Sequence, residues 1–249
     1  GVSYETLADD AIAAQHVLAK LPRIDPGKIG FWGLSQGGWL AVLAARRSGD
    51  AAFAISVSAP LVTPEQQMEF ATANLLTARG YSDADVGRML DARKAWVDYL
   101  RGKGTRAAAV DALGTAETQR WFELAFIPQP STLTTPEQST WRLQMDLDPV
   151  AAIRNITVPL LFIYGGSDPW IPVSASLQQL RTVAQQQQRI TYSVIPGASH
   201  EMTFRAEEKM AFDAKAPDQG APQATAYFML LASWLCRQGF GGAVANPCR

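Results

Sequence analysis

Lys28-Ile29-Gly30-Phe31-Trp32-Gly33-Leu34-Ser35-Gln36-Gly37-Gly38-Trp39 is the stretch from which the fold is read. Ile29, Phe31 and Trp32 make Lys28 to Leu34 a short apolar strand. Trp39 to Arg47 follows as a helix. Between them Gly33-Leu34-Ser35-Gln36-Gly37 has the pattern G-x-S-x-G, in the strand-to-helix setting that gives the pattern its meaning. A serine there must occupy a tight, strained turn so that its hydroxyl projects above the sheet. Glycines on either side remove Cβ atoms that would collide. The backbone amide of Gln36 then points into the same space and can donate to an oxyanion.

Outward from this turn, the chain alternates. Leu7, Ala11, Ala14, Leu18 and Leu21 recur at helical spacing, which predicts an amphipathic helix over 3–21, ended by Pro22 and followed by an Asp25-Pro26-Gly27 turn. Ala51 to Ala59, with Phe53, Ile55 and Val57, is a second buried strand. Further on, Val158 to Tyr164 and Ile190 to Ile195 read as strands, 174–187 and 222–237 as helices, and 201–221 as a polar loop. Apolar runs this continuous suit a parallel sheet covered on both faces.

Residues 60–147 differ. Thr63-Pro64-Glu65-Gln66, Ser82-Asp83-Ala84-Asp85 and Thr135-Pro136-Glu137-Gln138 each place a capping hydroxyl three residues before a side chain able to answer it. They predict four or five helices and no strand. Trp96, Trp121, Phe122, Phe126, Trp141 and Met145 supply their apolar surface. The pattern is α/β, with a core from 1–59 and 148–249 and a helical lid inserted over 60–147.

The 249 residues are 47% hydrophobic, enough for one sizeable core with a small helical layer. A net charge of −1 gives no reason to expect nucleic acid or an anionic membrane surface as the partner. No apolar run approaches the roughly 18 residues of a membrane span. The two cysteines, Cys236 and Cys248, are too few for a zinc site. Paired as a disulfide they tie the tail holding Gly239, Gly241 and Gly242 to the preceding helix, worth about 3 kcal/mol. That pairing favours a periplasmic or secreted location; two unrelated thiols would instead fit the cytoplasm.

A serine hydroxyl is a poor nucleophile without an adjacent base. The chain has two histidines. His16 lies in the first helix, upstream of the serine turn, whereas His200 follows a strand in a loop with Gly197, so His200 is the available base for Ser35. The partner for its second ring nitrogen is Asp168, which follows Gly165-Gly166-Ser167 at the carboxyl end of a strand. Asp148 sits at the opposite strand end beside Pro149 and reads as a turn residue. Glu201 would have to fold back on its neighbour.

Taken together, IDPGKIGFWGLSQGGWL around Ser35, VPLLFIYGGSDPWIP around Asp168 and PGASH ending at His200 resemble the α/β-hydrolase superfamily. The branch they resemble holds dienelactone hydrolase-like esterases and prolyl oligopeptidase-like peptidases. The resemblance covers most of the chain outside 60–147 and keeps the family's order of Ser, Asp, His. It implies a serine hydrolase that cleaves a carboxylic ester through an acyl-enzyme on Ser35, with no metal or organic cofactor. The same three residues would serve a peptidase acting on short peptides, for which Glu65, Glu69 and Glu123 are the lid's candidate readers of an amino terminus. A catalytically silent binding module is the reading from another class. Trp39 and Trp170 are candidates to line an acyl pocket, under a lid that covers the site. The family's sheet also has strands before the serine turn, one of whose loops supplies a second oxyanion donor. These are missing here, so the resemblance implies that this chain is the C-terminal portion of a longer hydrolase. The remaining segment would pack on the sheet edge at Lys28 to Leu34 and cover an otherwise open apolar strand.

Overall fold

The computed structural model describes residues 1–154, 156–204 and 221–240. It divides the chain into two compact units. One is Gly1–Ser3 with Thr63–Leu147; the other is Tyr4–Val62 with the described residues from Asp148 onward.

The second unit is built on four parallel strands in the order β1-β2-β3-β4: β1 (Phe31–Leu34), β2 (Ala54–Val57), β3 (Leu160–Gly165) and β4 (Ile190–Ile195). Helix α1 (Tyr4–Leu18) precedes the sheet and α2 (Gln36–Ser48) joins β1 to β2. Alternation along β2 shows how both faces are covered. Ile55 and Val57 join Leu161, Ile163, Tyr227 and Trp234 in one buried cluster, with the last two residues coming from α9 (Thr225–Arg237). Ser56 points the other way, against α2. There a Cβ on Gly38 would lie 2.7 Å from Ser56 Oγ and 2.6 Å from the Ala59 Cβ, so the helix approaches as closely as glycine permits. A sheet covered on both faces is the reason the strands read as unbroken apolar runs.

Several boundaries move from their sequence-based positions. The first strand starts at Phe31 rather than Lys28 because Asp25 Oδ1 accepts the Gly27 N–H at 3.0 Å and winds Pro26–Lys28 into a single 3-10 turn. The helix after the serine begins at Gln36 rather than Trp39, without any spacer. β1 lies at one edge of the sheet among the described residues, and Trp32 on it is 55% exposed, its indole N–H donated to Tyr227 OH at 3.0 Å. Among the described residues no helix is long and apolar enough to cross a membrane. Cys248 lies outside the described residues, as does most of the predicted loop 201–221.

The helical unit contains α3 (Pro64–Ala78), α4 (Asp83–Leu100), α5 (Arg106–Glu117) and α6 (Thr140–Gln144). At Thr63 and at Ser82 the reciprocal caps form: each hydroxyl accepts the N–H three residues on, and Gln66 or Asp85 accepts the cap's own N–H. The third expected start, at Thr135, yields only a 3-10 turn over Pro136–Gln138 with no side-chain cap. Its helix starts later, at Thr140, where Ser139 Oγ accepts the Arg142 N–H at 3.2 Å. The unit has its own cores, one around Trp96, Leu100, Leu113 and Met145, the other around Leu76, Met89, Trp121 and Phe122. Between β2 and β3 no strand occurs among its described residues. After it, α7 (Pro149–Ile153) leads into β3, and α8 (Val173–Ala184) joins β3 to β4.

Candidate active site

Parallel strands put all their carboxyl ends on one rim. Ser35 follows β1, Ser58 follows β2, Asp168 lies just past β3 and His200 just past β4.

Ser35 has φ 56° and ψ −125°, a conformation that L-residues rarely adopt. The turn is closed by Gly38 N–H to Ser35 O at 2.9 Å, and held to the sheet by Ser35 N–H to Val57 O at 2.8 Å. The two motif glycines differ in their reasons. A Cβ on Gly33 would sit 1.9 Å from the Gly37 carbonyl oxygen, so residue 33 must be glycine. A Cβ on Gly37 would meet nothing within 4 Å, which corrects the expectation that both flanking glycines relieve a collision. Gln36 is exposed at the first turn of α2, and its side chain donates to Tyr4 OH at 3.3 Å. Its backbone N–H has no acceptor among the described residues, as the first amides of a helix have none within it.

Asp168 and His200 are in contact: Nδ1 of His200 lies 2.8 Å from Oδ2 of Asp168. The Asp168 carboxylate is wholly buried and the imidazole is 12% exposed. The other carboxylate oxygen, Oδ1, accepts from the Trp170 and Ile171 N–H groups at 2.9 and 3.2 Å, so the aspartate is held by its own loop before it meets the ring. The encounter follows from β3 and β4 being neighbours, with Gly165 opposite Ile195. Gly166 N–H donates to Ile195 O, and Ser167 N–H to Ala198 O, at 2.8 and 2.9 Å. The histidine loop crosses so close above β3 that a Cβ on Gly165 would lie 2.2 Å from Ser199 O.

The competing carboxylates are engaged elsewhere. Asp148 caps α7, accepting the Val150 and Ala151 N–H groups at 2.9 and 3.0 Å. Glu201 Oε2 accepts from Ser199 Oγ at 3.3 Å. His16 lies 4.0 Å from Asp50 on the surface of α1. The Ser35 hydroxyl makes no hydrogen bond among the described residues, so the structure brings two of the three predicted side chains into contact and sets the third on the same rim. Such contacts commonly tighten only when substrate is bound.

A family model of α/β-hydrolases matches residues 2–214. The chain belongs to the alpha/beta hydrolase family. No curated protein matches this chain. Among solved structures it is similar to a puromycin-hydrolyzing peptidase of Mycobacterium tuberculosis, at 18% identity and a TM-score of 0.50, over 94% of this chain and 26% of that one. A thermophilic esterase from Thermogutta terrifontis aligns at 17% identity and a TM-score of 0.48, over 95% and 73% of the two chains. An acylaminoacyl peptidase of Pyrococcus horikoshii aligns at 16% and 0.42, over 81% and 24%. The chain thus spans about a quarter of the length of the first of these. At such identities the likeness is one of fold.

The two tryptophans expected to line a pocket are placed differently. Trp39 is 7% exposed, packs edge-on against Tyr4 with centroids 5.7 Å apart, and donates its indole N–H to Pro60 O at 2.7 Å. It is a core residue of this unit. Trp170 is half-buried beside Asp168. Of the acidic residues expected to read an amino terminus, Glu69 and Glu123 are exposed. Glu65 is buried within the helical unit, where its Oε2 accepts from Trp141 Nε1 at 3.0 Å and lies 3.5 Å from Arg93 Nη1. That carboxylate is committed to its own unit.

Sequence reasoning missed Ser58. Its hydroxyl donates to the His200 carbonyl oxygen at 2.8 Å, and it is fully buried with φ 48°. Nothing in the local sequence marks a serine after a strand as a partner of a residue 142 positions away.

Proposed function

We propose that this hydrolase cleaves carboxylic esters through an acyl-enzyme on Ser35. In this reading the Ser35 hydroxyl attacks the ester carbonyl and gives its proton to Nε2 of His200. The resulting imidazolium is stabilised through Nδ1–H by Asp168. The Gln36 amide donates to the oxyanion. On collapse, the C–O bond to the leaving group breaks and the alcohol departs with the proton held on Nε2. Water then enters, His200 takes a proton from it, and its oxygen attacks the acyl carbonyl. The acid leaves as Ser35 recovers its proton.

The observation that supports this most is the pairing of a fully buried aspartate with the Nδ1 of His200. This contact leaves Nε2 as the free nitrogen of the ring, on the rim that also carries the strained Ser35 turn. A carboxylate on Nδ1 selects the tautomer in which Nε2 accepts. The burial of Glu65 in an ion pair removes one candidate for recognising a substrate amine, which favours esters over free-amino-terminal peptides.

The test is labelling with a fluorophosphonate, followed by peptide mass spectrometry, on the complete polypeptide carrying this chain. We expect a single adduct on Ser35 and none in Ser35→Ala. An unlabelled wild-type protein would return the assignment to a binding module. A panel of p-nitrophenyl esters beside aminoacyl p-nitroanilides then separates ester from amide cleavage.

A further inference from the structure

Ser58 lies between the two halves of the rim. On one side its neighbour Val57 receives the Ser35 N–H on its carbonyl, at 2.8 Å. On the other its own hydroxyl donates to the His200 carbonyl at 2.8 Å. Its N–H is tied down as well, to Ile163 O of β3 at 2.8 Å. The hydroxyl of residue 58 therefore reaches from β2 across the end of β3 to the loop that follows β4, and the Val57-Ser58 pair connects the serine turn to the histidine by hydrogen bonds.

The backbone of Ser58 adds a second indication. At φ 48° it occupies the left-handed region, where glycine is at ease and serine is strained. Backbone geometry alone selects glycine at such a position. A serine there retains a hydroxyl at a conformational cost, and among the described residues that hydroxyl has one partner, the carbonyl of His200. Within the histidine loop, Ser199 N–H donates to Thr203 O at 2.8 Å, and the hydroxyls of Ser199 and Thr203 lie 2.7 Å apart. Asp168 orients the ring through Nδ1. Ser58 holds the backbone of the same residue.

We infer that Ser58 is a positioning residue: by fixing the His200 carbonyl to the end of β2, it sets where the imidazole stands relative to Ser35. This deepens the proposed function and rests on that reading. Displacing a reacting group by about 1 Å typically costs on the order of 100-fold in rate. Ser58 acts without touching substrate, so the loss falls on kcat and leaves KM nearly unchanged.

Two variants separate positioning from mere structural support. Ser58→Gly removes the hydroxyl and relieves the left-handed strain, so it should fold with a Tm at or above that of the wild type. It should nonetheless label Ser35 with fluorophosphonate about 10- to 100-fold more slowly, and lose kcat on p-nitrophenyl butyrate by a similar factor. Ser58→Ala should show the same rate loss with a lower Tm. Wild-type labelling and turnover in Ser58→Gly would overturn the inference. A separate readout covers the case in which the wild type itself does not react with the probe, so that the serine hydrolase reading fails. The ring NMR signals of His200 are assigned by their loss in His200→Gln. Altered His200 ring shifts in Ser58→Gly support the positioning role, and superimposable ring shifts overturn it.

Discussion

Oδ1 of Asp168 accepts two backbone N–H groups of its own loop while Oδ2 faces Nδ1 of His200 at 2.8 Å, so the two oxygens of one carboxylate have different duties. This division determines what the isosteric amide would do.

In Asp168→Asn the amide oxygen would stay on the Trp170 and Ile171 N–H groups, because an NH2 there would leave those donors unpaired. The NH2 would then face Nδ1 and force it to act as acceptor, moving the ring proton to Nε2. A ring protonated at Nε2 is unable to take the Ser35 proton. We expect turnover to fall by about 10⁴-fold with the fold intact, measured as kcat on p-nitrophenyl butyrate beside a circular dichroism melt. Activity within tenfold of wild type would mean that Asp168 does not set the tautomer.

The two glycines of the serine turn should respond oppositely. Gly33→Ala would drive a methyl group to 1.9 Å from the Gly37 carbonyl, a backbone atom unable to yield without opening the turn. We expect a loss of about 3 kcal/mol or more in urea unfolding, or insoluble protein. Gly37→Ala meets open space inside a helix and should be neutral or stabilising by up to about 1 kcal/mol.

Within the helical unit, Arg93 is 1% exposed and paired with Glu65. Both Arg93 Nε and Nη1 and Glu65 Oε1 are without hydrogen-bond partners among the described residues. Removing one charge strands the other, so Arg93→Met alone should destabilise by about 3–5 kcal/mol. Adding Glu65→Gln to it should recover most of that loss, because no buried charge then remains unpaired. Additive losses in the double variant would show that the two side chains are not energetically coupled.

The same pair gives a pH signature. Burial, opposed by Arg93 and assisted by the neighbouring Glu69, raises the Glu65 carboxyl above its ordinary value of about 4.5. The folded state thus holds this proton more tightly than the unfolded chain does. Its contribution is fully present below about 4.5 and is lost as pH rises through the higher folded value. Urea midpoints followed from pH 4 upward should therefore decline more steeply in the wild type than in Glu65→Gln. Parallel profiles would contradict this.

Hydroxyl caps offer a local comparison. Thr63→Ala and Ser82→Ala each remove a formed reciprocal cap and should cost about 1 kcal/mol. Thr135→Ala removes a hydroxyl that caps no helix and should cost less than about 0.5 kcal/mol.

The chain alone determined whatever is settled within a few residues or by elimination. The strained turn at Ser35 is legible because Gly33 and the apolar strand before it leave few other conformations. The caps at Thr63 and Ser82 are legible because donor and acceptor are three residues apart. His200 is legible because His16 lies in the first helix, upstream of the serine turn. The tertiary structure decided which carboxylate meets that imidazole, since β3 beside β4 brings Asp168 to it while Asp148 is drawn off to cap α7. It also decided that Trp39 is core, that Gly37 is unconstrained, and that Ser58 reaches His200. These depend on which strands lie side by side, and a hydrogen bond across 142 residues leaves no periodicity or spacing in the chain from which to read it.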